Sequence, residues 1–419
     1  MTNFERASVY EGVQIGVETT PGTAVACNKR LLGLQFDLEN MTDIKTYRPQ
    51  GNKFITTSQQ GKEMTSGRIE GILCFNDLVY LASCWLTTTT PTVPTNNSTW
   101  VVSATTTNTV GFTFKGSVLA AAAYTTAALF QTAIAGMASV GAGNVLVTGT
   151  PSTGWVIQFI GALSTDTSAI TSVTGTASAT ITLQAAATLT NRWKFVMAPT
   201  GPDSVTTLTV QKGAAGVSNQ AQQAAFAFIG GMQVKLAKSE ASFTGDMAAQ
   251  TTLDPVTMTS SPTDITCVPV DPRAINIWMG PASTSVTQLL RCLEFEFGVM
   301  NRANGLMTLN ANDTSFSNRI ELAPNLTSRM FLEHDAQGQA ALASLRAGTQ
   351  QITVIEALGP LIETGFPYRM KWTICQKLIK PNTADVDGVY GRNYDTELQY
   401  NSALGTAIQL EIDCPLTAL

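Results

Sequence analysis

Two segments of the chain carry the same alternation of apolar and polar positions. Leu34-Gln-Phe-Asp-Leu38 and Phe295-Glu-Phe-Gly-Val299, offset by 261 residues (295 less 34), place an apolar side chain at every second position. That is the period of a strand with one buried face. The same offset brings Ser66-Gly-Arg68-Ile69 over Thr327-Ser-Arg329-Met330, where a second strand is predicted, and Leu81-Ala-Ser83 over Leu342-Ala-Ser344. The last match falls within a short predicted helix in each copy. Asn76 or Asp77 is placed to cap the first helix and Asp335 the second, which Arg346 and Gly348 close. Leu78, Leu81 and Trp85 form an apolar face on one helix, and Ala341, Leu342 and Leu345 on the other. Each is therefore predicted to be amphipathic and to cover one side of a sheet.

Beyond the helix the register changes. Met232-Gln-Val-Lys-Leu236 matches Met370-Lys-Trp-Thr-Ile374 at an offset of 138, so the first copy holds about 123 additional residues (261 less 138). The Thr/Pro run from Thr87 to Thr99 and the stretch Ala198-Pro-Thr-Gly-Pro202 mark the edges of an inserted domain. Within it the pattern predicts a strand over Gly111 to Lys115, a helix over Ala120 to Met137, and strands over Asn144 to Thr148, Trp155 to Ile160 and about Ala179 to Gln184. The chain thus divides into an arm (residues 1–30), a first β domain (31–90 with 203–280), an inserted module (91–202) and a second β domain (285–419). The expected fold class is mainly β: a duplicated β-sandwich or barrel, each copy with one flanking α-helix, plus a small inserted α+β domain.

Composition narrows the possible functions. Only 13% of the residues are charged while 44% are apolar, which fits surface made of small neutral side chains or surface buried in an assembly. Between Leu78 and Asn191 only Lys115 and Asp166 carry charge, as expected of a small surface module. The formal net charge of -5 lacks the basic footprint that neutralises nucleic-acid phosphates. The start, MTNFERASVYEG, has charges where a signal peptide needs an apolar core, so export by that route is not expected. The uncharged run from Gly116 to Asp166 is interrupted by Thr125, Thr126, Gln131 and Thr132 and has no basic flanks; a helix packed on a sheet is expected there, not a membrane span. Seven scattered cysteines without a CxxC pair are expected to be reduced and mostly buried.

Catalytic chemistry is sparse. His334 is the one histidine, so a His-based metal cluster is excluded, and its neighbours Glu333 and Asp335 suit a helix start. Glu294 and Glu296, two apart on a strand, share its polar face, and Glu411/Asp413 repeat that spacing. Asp385-Val-Asp-Gly388 lacks the further ligands of a calcium loop and reads as a turn. The glycines of Ile229-Gly-Gly231 and Gly141-Ala-Gly143 lack the Lys-Ser or Lys-Thr of a phosphate loop. No catalytic residue, cofactor or metal is expected, and the chain is not expected to be an enzyme.

The segment GVQIGVETTPGTAVACNKRLLGLQFDLE, with its cue Ile15-Gly-Val-Glu-Thr-Thr-Pro-Gly22-Thr23, precedes a long polar connection, a strand and the helix FNDLVYLASCWL. This order resembles the tail tube (major tail) proteins of long-tailed, siphovirus-like bacteriophages, with Pro21 where that family usually has an aromatic residue. The resemblance implies a self-assembling structural subunit of stacked rings enclosing the channel for DNA ejection. It implies a virion protein of the tail, assembled in the host cytoplasm, with terminator, distal tail and tape-measure proteins as partners. DNA would pass without tight binding. Two tube folds in one chain imply a ring of three chains with pseudo-sixfold symmetry, six chains being the alternative.

In such a tube the polar stretches 40–65 and 301–327 are the loops that reach the next ring. Asp43, Lys45, Arg48, Lys53 and Lys62 in the first, and Arg302, Asp313 and Arg319 in the second, are then candidate inter-ring contacts. Glu294 and Glu296 are candidate lumen-facing acids. Ordinary exposed hairpins explain the same stretches equally well. The insertion, with Phe112-Thr-Phe-Lys-Gly116, Gly143-Asn-Val-Leu-Val-Thr-Gly149 and Val156-Ile-Gln-Phe-Ile-Gly161, resembles small modules of phage tail and bacterial surface proteins. A host- or carbohydrate-binding adhesin is therefore the rival reading, and a ring protein at the tube's end a closer one.

Overall fold

Alternating apolar positions emerge as strands through most of the chain, and the fold is mainly β, with three α-helices among the described residues. The computed structural model describes residues 11–94, 99–103, 109–163, 168–175, 180–183, 189–214, 220–363 and 365–419. The first ten residues of the expected arm, together with Asp166, Ala179 and Gln184, lie outside them.

The chain opens with β1 (Glu11–Val17), β2 (Lys29–Leu31) and β3 (Leu34–Phe36), then a long hairpin of β4 (Glu39–Tyr47) and β5 (Thr57–Ile72). Helix α1 (Phe75–Ser83) follows and is buried at all nine positions, so it is enclosed rather than amphipathic. Neither expected cap acts as one: Cys74 stands at the N-cap without a side-chain hydrogen bond. Asn76 Nδ2 donates to Thr266 O at 2.7 Å, and Asp77 Oδ2 accepts from the Gly33 N–H at 2.9 Å. Enclosure explains this, because the first-turn side chains satisfy backbone groups of the segments packed over the helix. The cysteine expectation is corrected too: Cys74 and Cys267 form a disulfide spanning 193 residues, and five cysteines are free.

The insertion leaves after β6 (Thr87–Thr88) and comprises β7 (Thr99–Ser103), β8 (Val110–Phe114), β9 (Ser117–Ala122), α2 (Ala127–Ala135), β10 (Val145–Thr150), β11 (Gly154–Phe159), β12 (Ile170–Gly175) and β13 (Thr180–Leu183). Two small sheets, β10-β11-β7-β13 and β12-β8-β9, enclose a core of their own that includes Phe112, Phe114, Phe130 and Trp155. The helix expected over 120–137 starts late. Lys115 and Gly116, both at positive φ, turn the chain so that Ser117 pairs with Phe114 and Leu119 with Phe112. Thr126 then caps α2 by accepting from the Leu129 N–H at 3.3 Å. The next strand, β14 (Asn191–Val196), pairs with β6, so residues 191–196 belong to the main sheet and not to the module.

The rest of the chain runs β15 (Leu208–Ala214), β16 (Ala221–Ala237), β17 (Ala241–Ala249), β18 (Leu253–Val256) and β19 (Thr263–Ile265), then β20 (Ile275–Gly280) and β21 (Thr287–Gln288). After these come β22 (Cys292–Met300), β23 (Ala303–Leu306), β24 (Asn318–Glu321), β25 (Asn325–Glu333), α3 (Ala336–Ala347), β26 (Gln350–Glu363), β27 (Phe366–Val386), β28 (Val389–Leu398) and β29 (Ile408–Cys414). Asp335 caps α3 by accepting from the Gly338 N–H at 2.9 Å, and Gly348 ends it at φ 64°.

One pairing pattern occurs in both halves. Strands run β5-β17-β16-β15-β1 in the first and β25-β28-β27-β26-β20 in the second. Ile69 pairs with Gly245, itself opposite Met232; Met330 pairs with Tyr394, itself opposite Pro381. The offsets are 261 (330 less 69) and then 149 twice (394 less 245, 381 less 232). Irregularities at Ile229/Gly231 and Leu378/Lys380 also lie 149 apart. Met232 therefore corresponds by pairing to Pro381 and not to Met370, which lies opposite Ala357 and Ile412. The offset of 138 lays one half of a long strand on the other half of its counterpart.

The halves join edge to edge. Strand β16 pairs with β22 from Met232 opposite Val299 to Ala237 opposite Glu294, giving a continuous run β5-β17-β16-β22-β25-β28-β27. Beneath it Trp372 meets Phe297 at 5.0 Å and Trp85 of the first half at 6.2 Å between ring centroids. Both halves thus share one large core.

Candidate assembly surfaces

The hairpin of β4 and β5 projects without a core of its own. Met41, Ile44, Tyr47, Phe54 and Ile55 are all more than half exposed, Phe54 at 75%. A bare two-stranded ribbon carrying several apolar side chains is marginal in water, which makes this one a candidate association surface. Asp43, Lys45, Arg48 and Lys53 are exposed on it, with Lys45 Nζ 3.2 Å from Asp43. Lys62 lies at its base instead, where Nζ donates to Asn310 O at 2.9 Å. Ser315 Oγ donates to Glu63 O at 2.6 Å, so the ribbon rests on residues 310–315 of the second half. Asp313, half-buried there, accepts from the Thr308 hydroxyl at 3.2 Å.

Arg302 and Arg319 depart from expectation. Arg302 is 3% exposed and donates to Asp203, also 3% exposed, with Glu321 at 3.7 Å. Arg319 bonds Glu321 and donates to Asp203 O at 3.0 Å. Burial pulls the Arg302 guanidinium below its ordinary value against the opposing pull of Asp203 and Glu321. Both arginines fasten the β23–β24 hairpin to the segment after β14, and neither presents its charge at the surface.

The face of the joined sheet away from the core is polar and mixed in sign. Glu294 is exposed and Glu296 half-buried. Glu296 stands between Lys235 and Arg329, and Arg329 in turn faces Asp395. Glu296 also accepts from Gln233 Nε2. The two acids therefore share a face with cations instead of forming an acidic stripe. Lys238 and Asp387, at the tips of the corresponding β16–β17 and β27–β28 hairpins, form an ion pair.

Among the described residues, two edges of this sheet remain open. Strand β3 pairs with β5 on one side only, and residues 378–386 of β27 pair with β28 on one side only. These are the counterparts of β22 and β16, the strands that join the halves. An edge offers backbone donors and acceptors that another strand can take up.

The remaining acids have structural partners. Asp385 Oδ1 accepts from the Gly388 N–H at 2.8 Å, closing the turn. Glu411 and Asp413 belong to a buried cluster around Arg369, which lies 2.6 Å from Glu356, 3.3 Å from Glu411 and 3.7 Å from Asp413. Arg192 donates twice to Asp413, each time at 2.7 Å. Burial works against the Arg369 charge, but the three carboxylates outweigh it and raise the group above its usual value. Burial likewise works against ionised Glu411, and Arg369, Lys371, Arg192 and Lys194 together hold it below the usual carboxylate range. His334 is exposed and meets Tyr390 edge-on at 5.7 Å.

No helix among the described residues is long and apolar enough to cross a membrane. No protein-family model matches the chain, and no curated protein matches it in sequence.

Proposed function

We propose that the chain is a structural subunit of a bacteriophage tail tube, holding two copies of one tube fold and closing a ring with two further copies of itself. The observation that carries this reading is the joint between β16 and β22. One half of the chain already pairs with the other through it, and the equivalent edges of β27 and β3 are open at the two ends of the same sheet. Repeating the joint between chains satisfies both edges and closes a barrel without a free strand. The polar face of that sheet then lines the channel, and the β4–β5 ribbon reaches the neighbouring ring. A lining of mixed charge suits passage of DNA without tight binding.

The joint dictates a register. Lys235 opposite Glu296 inside the chain becomes Ala384 (235 plus 149) opposite Asp37 between chains, since Glu296 faces Arg329 and Asp37 faces its counterpart Arg68 (329 less 261). An Asp37→Cys/Ala384→Cys variant should oxidise to covalent rings of three chains, and electron microscopy should show hollow tubes of uniform width. A persistently monomeric protein that gives only intramolecular products overturns the reading; glycan binding by such a monomer would point to the adhesin.

A further inference from the structure

The first turn of α1 gathers three metal-ligating groups in one enclosed place. The sulfurs of Cys74 and Cys267, joined as the disulfide, and a carboxylate oxygen of Asp77 all lie within 4.8 Å of one another. Asp77 is 1% exposed; Oδ2 accepts from the Gly33 N–H and Oδ1 has no hydrogen-bond partner. Leaving a buried carboxylate oxygen unpartnered is costly unless a proton or cation compensates it. The Gly33 backbone closes one side: a Cβ there would lie 2.6 Å from Cys74 Sγ, 2.7 Å from Asp77 Oδ2 and 3.0 Å from Cys267 Sγ. Cys267 is half-exposed, whereas Cys74 and Asp77 are buried. The helix N-terminus at Cys74 favours anionic ligands, thiolates included.

We propose that Cys74, Cys267 and Asp77 form a clasp with two closed states: a disulfide when oxidised and, once reduced, a three-ligand site for a divalent ion of the zinc type. In the first step a dithiol reductant gives two electrons and two protons to the sulfur–sulfur bond, yielding two thiols and its own disulfide. In the second the two thiols release their protons as the ion takes two thiolates and one carboxylate oxygen. Water from the Cys267 side takes the fourth position. Two soft sulfurs with one oxygen suit tetrahedral zinc, whose bonds of about 2.3 Å to sulfur set the two sulfurs roughly 3.8 Å apart, a spacing reached by side-chain rotation. Either state fastens residues 266–270 to α1, beside the bonds from Phe75 N–H to Val268 O (3.0 Å) and from Val270 N–H to Leu73 O (2.7 Å). That segment leads from the first half into the second, so the clasp holds the connection in oxidising and reducing surroundings alike. The proposal is independent of the tube reading.

The test uses the full chain, reduced with excess dithiol, freed of it under nitrogen and titrated with Co2+. Thiols counted after denaturation should rise from five to seven on reduction. Thiolate-to-cobalt charge-transfer and tetrahedral d–d bands should saturate at one equivalent and vanish on adding Zn2+. Cys267→Ser should abolish the charge-transfer band, and Asp77→Asn, which removes one ligand and keeps the side-chain size, should weaken cobalt binding at least about tenfold. Circular dichroism checks that each variant is folded. Seven thiols without the bands overturns the proposal, as does loss of the native fold on reduction. Undiminished cobalt binding in both folded variants does the same.

Discussion

Asp203 and Arg302 form an ion pair in which each side chain is 3% exposed, joining the segment after β14 to the β23–β24 hairpin. Asp203 also accepts from the Ala198 N–H at 2.8 Å and from the Thr87 hydroxyl. Replacing Asp203 with alanine strands a buried guanidinium, a change that typically costs about 3–5 kcal/mol. Urea unfolding of Asp203→Ala should show a loss of that size. Asp203→Leu/Arg302→Met, which removes both charges, should lose much less.

How much of this was legible in the chain depends on the range of the interaction. Local alternation placed β3, β22 and β25, and local capping placed α3 between Asp335 and Gly348. Arg302 and Arg319 lie in a polar stretch of the kind that usually exposes its charges; their burial depends on Asp203, some hundred residues away, which no local pattern announces. The Cys74–Cys267 bridge has the same long-range character. The alanines after Val118 suit helix or strand, and the two-residue turn at Lys115-Gly116 decided for a strand. Alternation marks buried apolar faces, so it picks out Met370, Trp372 and Ile374 at the 138 offset, whereas the true counterparts Pro381, Thr383 and Asp385 lie outside the core and carry no such pattern. Only backbone pairing separated them.

Trp372 is fully buried against Trp85 and Phe297, bridging the two halves of the core. Truncating it to alanine removes a large side chain that its neighbours cannot replace, for about 3–5 kcal/mol. Trp372→Phe should cost far less, since it keeps most of the ring volume and removes an indole N–H that has no partner. Chemical unfolding of the pair of variants checks the order.

Glu411 gives the fold an acid-sensitive component. Its folded value lies below the ordinary 4.5 because the surrounding cations outweigh burial. The folded state thus binds its proton less readily than the unfolded state. The stabilisation is therefore present above pH 4.5 and is lost as the pH falls through the depressed folded value. Glu411→Gln should lower stability at neutral pH and flatten the fall of stability with acid below that point. Unfolding midpoints measured from pH 7 downward should show the two proteins converging; parallel curves would assign the acid response to other carboxylates.

The insertion should be removable at a defined place. Thr92 and Arg192 exchange backbone hydrogen bonds, Thr92 N–H to Arg192 O at 3.0 Å and Arg192 N–H to Thr92 O at 2.7 Å, so the chain leaves and re-enters the main body at adjacent positions. Between them the described part of the module buries Phe112, Phe114, Phe130 and Trp155 in a core separate from the main one. Replacing residues 93–191 with an Asn-Gly turn asks that this bridge become an ordinary hairpin and that Glu363, which accepts from the Leu189 and Thr190 N–H groups at 3.0 Å, exchange those bonds for water. The shortened chain should unfold cooperatively, with the stability of the main body changed by no more than about 1 kcal/mol. It should also form the same assemblies as the full chain under electron microscopy. Extending the excision through Val196 should fail instead, because β14 pairs with β29 from Asn191 opposite Cys414 to Val196 opposite Gln409, and its Trp193 and Phe195 are core residues.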